Sequence, residues 1–157
     1  MNRKLNYLLI AVLTIGFFAC KKDSDSPATT TITPIVLDGS QLAVQYVSKG
    51  VSTKLDSLGY YADTDTTSLT APYLSLRLQT QGAVALAPGT YRSYSSALKT
   101  FQIAILSGNK YYSARTSDST NTITINSISA GTASGSYSAK VWSQDSIPVS
   151  KSISGNF

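Results

Sequence analysis

The stretch Leu74-Ser75-Leu76-Arg77-Leu78-Gln79 places a leucine at every second position, with Ser, Arg and Gln between them. In an extended chain successive side chains point to opposite faces, so three leucines share one face and three polar groups the other. A period of two predicts a half-buried β-strand. The same period recurs on either side of this stretch. Leu42, Val44 and Tyr46 alternate with Ala43, Gln45 and Val47, which puts Tyr46 in core-facing phase. Phe101, Ile103 and Ile105 alternate with Gln102, Ala104 and Leu106, and Ile123 and Ile125 with Thr122, Thr124 and Asn126. Tyr137, Ala139 and Val141 alternate with Ser138, Lys140 and Trp142, and a last strand over 149–157 turns Val149, Ile153 and Phe157 one way. Weaker strand candidates are 51–56, 58–62, 90–94 and 110–115.

Turn residues separate these runs: Ala87-Pro88-Gly89, Ser107-Gly108-Asn109, Ser117-Asp118-Ser119, Ala130-Gly131 and Ser146-Ile147-Pro148. Gly and Asn tolerate positive φ and Pro fixes φ, so such residues close hairpins. Short strands at this spacing predict an all-β domain over 35–157, an antiparallel β-sandwich or, alternatively, a small lipocalin-like β-barrel. The most helix expected is one turn near Tyr94 to Leu98. Composition agrees. Ser and Thr supply 43 of 157 residues, and all eight acidic residues are Asp. Such a chain suits pleated surfaces better than helices.

The N-terminus carries a different signal. Arg3 and Lys4 precede an apolar run of twelve residues, Leu8 to Ala19, which ends at Cys20. As a helix this run spans about 18 Å, short of the roughly 30 Å hydrocarbon core of a bilayer. It is expected to be a cleaved signal peptide, residues 1–19. Phe17-Phe18-Ala19-Cys20 puts the chain's single cysteine just after a small residue and resembles a bacterial lipobox. The resemblance implies that the Cys20 thiol receives a diacylglycerol and, after cleavage, an acylated amino terminus. Several acyl chains together hold a protein stably at a membrane where one does so only marginally. One cysteine also excludes an intrachain disulfide. Residues 20–34 then form the lipidated Cys and a polar linker too poor in apolar groups to fold.

The second half carries a further resemblance. Ile123-Thr124-Ile125, Gly135-Ser136-Tyr137 and the closing Gly155-Asn156-Phe157, with Pro88-Gly89-Thr90-Tyr91 upstream, are similar to the strand motifs that end small lipoproteins of the Bacteroidetes type. Lys21-Lys22-Asp23-Ser24-Asp25 resembles the charged segment that follows the cysteine in such proteins. The resemblance implies an outer-membrane anchor, facing periplasm or cell surface, and a β-sandwich-like domain. It transfers no catalytic residue.

The chemistry available is narrow. There is no His and no Glu, so a Ser or Thr nucleophile would need a Lys base, and no supporting second motif accompanies any Ser-x-x-Lys. Asp63 and Asp65 sit two apart on an expected loop, where both carboxyls stay solvated. They are not the raised-pKa pair of a glycosidase. Asp63-Thr64-Asp65 also opens like a calcium loop, but the Gly and Glu such loops need are missing. No enzyme, no metal and no cofactor is therefore expected. Nor is a nucleic-acid partner: without Arg3 and Lys4 the balance is 11 basic against 8 acidic residues, with no cluster beyond Lys21-Lys22.

Two surface features remain. Seven of eight Asp precede Ser or Thr. Asx and Ser/Thr turns explain that pairing. By resemblance, Ser57, Thr66, Ser119 and Ser146 are also candidates for O-glycosylation. Tyr60-Tyr61 and Tyr111-Tyr112 must each send one ring outward from a regular strand, and Trp142 falls opposite Tyr137 and Val141 in phase. Tyr60, Tyr61, Tyr111, Tyr112 and Trp142 are thus candidate contacts for a protein or glycan partner, or else cross-strand packing pairs on a solvent face. The expected function is a non-enzymatic envelope lipoprotein that binds such a partner. The alternative is a carrier of a small apolar ligand, with a cavity lined by Leu74, Phe101 and Ile123.

Overall fold

A computed structural model describes residues 34–64, 72–129 and 131–157. The signal peptide, Cys20, nearly all of the linker, Asp65 and Thr66 lie outside the described residues. Eleven strands follow in chain order: β1 (Ile35–Leu37), β2 (Ser40–Leu42), β3 (Tyr46–Val51), β4 (Ser57–Asp63), β5 (Tyr73–Thr80), β6 (Gly89–Arg92), β7 (Leu98–Ser107), β8 (Lys110–Ala114), β9 (Thr122–Ser129), β10 (Thr132–Ser143) and β11 (Ser150–Asn156). The expected turn of helix near Tyr94 is irregular. Among the described residues, a single 3₁₀ turn, Gln81–Ala83, sits where β5 ends.

The leucine-alternating stretch is β5. Leu74, Leu76 and Leu78 are buried, while Arg77 between them is exposed. Register carries that face sideways. Leu58, Tyr60 and Ala62 of β4 lie opposite Leu78, Leu76 and Leu74, which lie in turn opposite Phe101, Ile103 and Ile105 of β7. Ile105 faces Tyr112, Ala114 faces Val141, and Ala139 faces Ile153. One continuous apolar face therefore runs from strand to strand. Burying a side chain of this size contributes about 1.5–3 kcal/mol.

All pairings are antiparallel, in the order β2-β1-β11-β10-β8-β7-β5-β4-β3. β10 and β3 nevertheless approach each other, although four strands lie between them. The sheet is curled into a half-barrel with its apolar face inward. β10 makes this possible. Its first half pairs with β9, which pairs onward with β6, and its last three residues pair with β8 on the same edge.

Two local devices hold β10. At the fork, Lys140 N donates to Asn121 Oδ1 at 2.8 Å, and Asn121 Nδ2 donates to the Arg115 carbonyl at 3.0 Å. Fully buried Asn121 thus supplies the bonds lost where the partner strand changes. Next to it, Gly135 and Tyr137 of β10 meet Gly155 and Phe157. Gly135 and Phe157 exchange backbone hydrogen bonds, and Tyr137 lies opposite Gly155. A Cβ on Gly135 would stand 2.6 Å from Phe157 Cζ, and one on Gly155 2.7 Å from Tyr137 Cζ. Each glycine leaves room for the other strand's ring. That reciprocity is the physical content of the two Gly-x-aromatic motifs.

Two phases differ from the sequence pattern. Tyr46 is 54 % exposed and Val47 packs on the core, because the chain leaves β2 at Leu42 and re-enters pairing at Tyr46 with the faces exchanged. Val149 is 53 % exposed because it precedes the first paired residue of β11, while Ile153 and Phe157 keep their expected side.

Candidate functional site

Each Tyr-Tyr pair divides. Tyr60 and Tyr112 are 3 % and 6 % exposed and belong to the core, so neither can serve as a partner contact. Their alternation with Tyr61 and Tyr111 along β4 and β8 puts those two on the outward face. Trp142, in the opposite phase from Val141, joins them there. Register makes the grouping explicit. Ser48, Tyr61, Ser75, Ala104, Ser113 and Trp142 form one row across β3, β4, β5, β7, β8 and β10. Ser75 and Ala104 are short and buried, and Tyr61 and Trp142 stand at either end of that floor.

Cations lie on the rings. The Arg77 guanidinium sits 5.6 Å from the Tyr61 ring centroid, and Arg77 Nε donates to Tyr61 Oη at 2.7 Å. Arg115 lies 4.2 Å and Lys140 4.6 Å from the Trp142 ring centroid. Gln102 Nε2 donates to Tyr111 Oη at 3.2 Å. Each cation–π contact of this kind contributes about 0.5–1 kcal/mol at an exposed site. The Trp142 Nε1 is buried and has no hydrogen-bond partner among the described residues. The Tyr61 and Trp142 rings are thus covered by cations, while Tyr111 is engaged through its hydroxyl. The surface offers guanidinium and ammonium groups held over rings, with an amide and hydroxyls between them.

The chain matches no family model, no curated protein and no solved structure. Its own geometry therefore carries the functional argument.

Most described carboxylates are engaged at turns and edges. Lys110 Nζ meets Asp145 Oδ2 at 2.9 Å, and that contact raises the lysine's pKa and lowers the aspartate's. Lys151 Nζ lies 3.4 Å from Asp38 Oδ2. Asp118 Oδ1 accepts from Thr120 N and Oγ1, which holds its carboxyl below the usual range. Asp56 Oδ1 accepts from Ser52 Oγ at 2.6 Å. The Asp-Ser/Thr turn chemistry is thus visible at Asp118. Of the glycosylation candidates, Ser119 and Ser146 are exposed in irregular segments, whereas Ser57 opens β4 half-buried with its amide donating to Ser52 Oγ.

Two clefts lie on the sheet's polar surface. One of about 540 Å³ is bordered by Val36, Gln41, Ser136 and Ser154, and one of about 330 Å³ by Asp38, Thr120, Lys140 and Ser152. Neither is lined by Leu74, Phe101 or Ile123, which pack in or against the core.

Alternation required one outward ring from each Tyr-Tyr pair without saying which, put Trp142 opposite Val141, and gave no sign of Arg77, Arg115, Gln102 or Asn121. Arg77 and Gln102 are visible afterwards as polar positions between apolar ones. Arg115 and Asn121 sit in turn-like sequence whose register no local pattern reveals.

Proposed function

We propose that the chain is a non-enzymatic, lipid-anchored envelope protein whose outward sheet face binds a protein or glycan partner. The observation that supports it is the single row bringing Tyr61 and Trp142, 81 positions apart in sequence, onto one face with Arg77, Arg115 and Lys140 over their rings. The anchor rests on the lipobox-like Cys20 and the apolar run before it, and places the domain at the outer membrane, periplasm- or surface-facing. The curl of the sheet favours a small barrel over two separate facing sheets. Leu74 and Ile123 belong to the buried core cluster and Phe101 packs against it, which weighs against the ligand-carrier reading.

The test has two arms. In partner pull-downs or on a glycan array, Tyr61→Ala, Tyr111→Ala and Trp142→Ala each lower binding at least tenfold while the melting temperature falls by only a few degrees. Binding that persists in all three removes the face from consideration. Intact-mass measurement on the membrane fraction finds acyl mass on Cys20, and Cys20→Ala moves the protein to the soluble fraction. An unmodified thiol, or a chain that keeps residues 1–19, overturns the anchor.

A further inference from the structure

We infer that this face takes an acidic polysaccharide, a hydroxyl-rich chain carrying carboxylate or sulfate groups, with Arg115 and Lys140 leaving the Trp142 ring to pair with its anions; the inference rests on the outward face being the binding face.

Three observations carry it. First, three cations are aligned on this face, with Asp63 beyond Tyr61 on β4 and Asp118 near Lys140 as its acidic neighbours. Arg77 projects from β5 and Lys140 from β10, and Arg115 follows β8, which pairs with β10. Neighbouring strands are about 4.8 Å apart, so Arg77 and Lys140 stand roughly 14 Å apart along a line across the strands. A linear polyanion crossing the sheet meets them in turn. Second, the groups they touch are aromatic rings, and the Asp118 carboxylate adds a Coulombic attraction to Lys140. An exposed cation–π contact is worth far less than a charge-assisted, bidentate arginine pair, so an incoming anion displaces it. Displacement also uncovers Trp142 Nε1, a buried donor now without a partner among the described residues, for a ligand hydroxyl. Third, between Arg77 and Lys140 lie Gln102 of β7 and Ser113 of β8, with the short Ser75 and Ala104 beneath. A protein partner would call for a larger apolar centre. Single-stranded nucleic acid would call for open ring faces on which bases stack, and cations lie over Tyr61 and Trp142.

Trp142 is the chain's single tryptophan, so its fluorescence reports this site alone. The domain is titrated with dextran sulfate, polygalacturonate, neutral dextran, polyglutamate and oligothymidylate of comparable length. Dextran sulfate or polygalacturonate changes Trp142 emission saturably, and the affinity falls as salt rises. Arg115→Gln and Lys140→Gln each weaken binding about fivefold and together at least tenfold, with the melting temperature held, while Lys54→Gln has no effect. Neutral dextran binding as tightly, and lost in Tyr61→Ala, overturns the acidic class but leaves the binding face standing. Tighter binding of polyglutamate or oligothymidylate reassigns the ligand to protein or nucleic acid and overturns the proposal. Polymer binding that leaves the emission unchanged, or resists the double substitution, places the contact elsewhere and overturns it too. If no polymer binds, the ligand class is wrong, and the Tyr61 and Tyr111 pull-downs decide the face separately.

Discussion

Asn121 shows how much one buried amide can carry. Its side chain replaces the strand-to-strand hydrogen bonds missing where β10 exchanges β9 for β8, and its own carbonyl accepts from Ser93 N at 3.3 Å. Ser93 Oγ in turn donates to the Asp118 carbonyl at 2.6 Å, which ties the same turn from the other side. Asn121→Ala leaves the Lys140 amide and the Arg115 carbonyl without these partners in a site closed to water. At about 1–3 kcal/mol for each unsatisfied group, the expected loss is about 2–6 kcal/mol, read as a lowered urea midpoint. Asn121→Asp keeps the acceptor but loses the donor and buries a charge, so it is not expected to rescue. Wild-type stability in Asn121→Ala would show that β10 is held at the fork by something else. The same residue marks a limit on sequence reading. Ser117-Asp118-Ser119 is recognisable as a turn because Asp and Ser bond nearby amides. That Asn121, just after it, reaches a strand 19 residues downstream follows only from topology.

At the scale of elements, alternation was readable wherever a strand has one buried and one open face. β5, β7, β9 and β10 follow the pattern, and the Gly108-Asn109 turn closes β7 onto β8 with both residues at positive φ, as a two-residue hairpin requires. The pattern misplaced Tyr46 because a period of two has no means of registering a break in pairing between β2 and β3. The Gly-x-aromatic motifs could be seen in the sequence but not explained there, since the partner of each ring is a glycine in another strand. Their geometry predicts unequal substitutions. A Cβ at Gly135 meets both the Phe157 ring and the backbone carbonyl of Thr124, which cannot rotate away. One at Gly59 meets only Tyr61 Cε2 at 3.8 Å. Gly135→Ala is therefore expected to cost about 1–3 kcal/mol by overpacking, and Gly59→Ala close to nothing. Chemical denaturation of the two variants side by side checks this, and equal midpoints would show that the β10 contact yields freely. Phe157→Ala removes a ring that also packs, tilted, with its centroid 5.7 Å from that of Tyr60, so it is expected to destabilise Gly135→Ala less than it does the wild type.

For the molecule as a whole, the curl brings ionisable rings into the core, and that gives folding a pH limit on the alkaline side. Tyr137 and Tyr60 both have raised pKa values, chiefly because burial penalises the phenolate, with the neighbouring Tyr60 charge adding to the effect on Tyr137. In the unfolded chain these phenols titrate near 10.0. A raised folded-state pKa means that the native form holds its proton where the unfolded form releases it. The associated stability is present in full below pH 10 and is lost as pH climbs from 10 toward the folded values. Each such group contributes a slope of at most about 1.4 kcal/mol per pH unit in that window. On the acid side the signs reverse. Asp118 and Asp145 are lowered by Thr120 and Lys110, so their small, exposed contributions are present at neutral pH and fade as pH falls through those lowered values. The alkaline limb is the steeper test because its groups are enclosed. Phenylalanine keeps the ring over Gly155 and removes the proton, so Tyr137→Phe is expected to flatten the fall in stability above pH 10, and the double variant with Tyr60→Phe to flatten it further. Neither variant changes the profile between pH 6 and 9 beyond a constant offset. Urea midpoints measured from pH 6 to 11.5 decide the matter. An alkaline slope identical in the wild type and the double variant would mean that the two phenols ionise without unfolding, and that the inner face of the curled sheet is open to water.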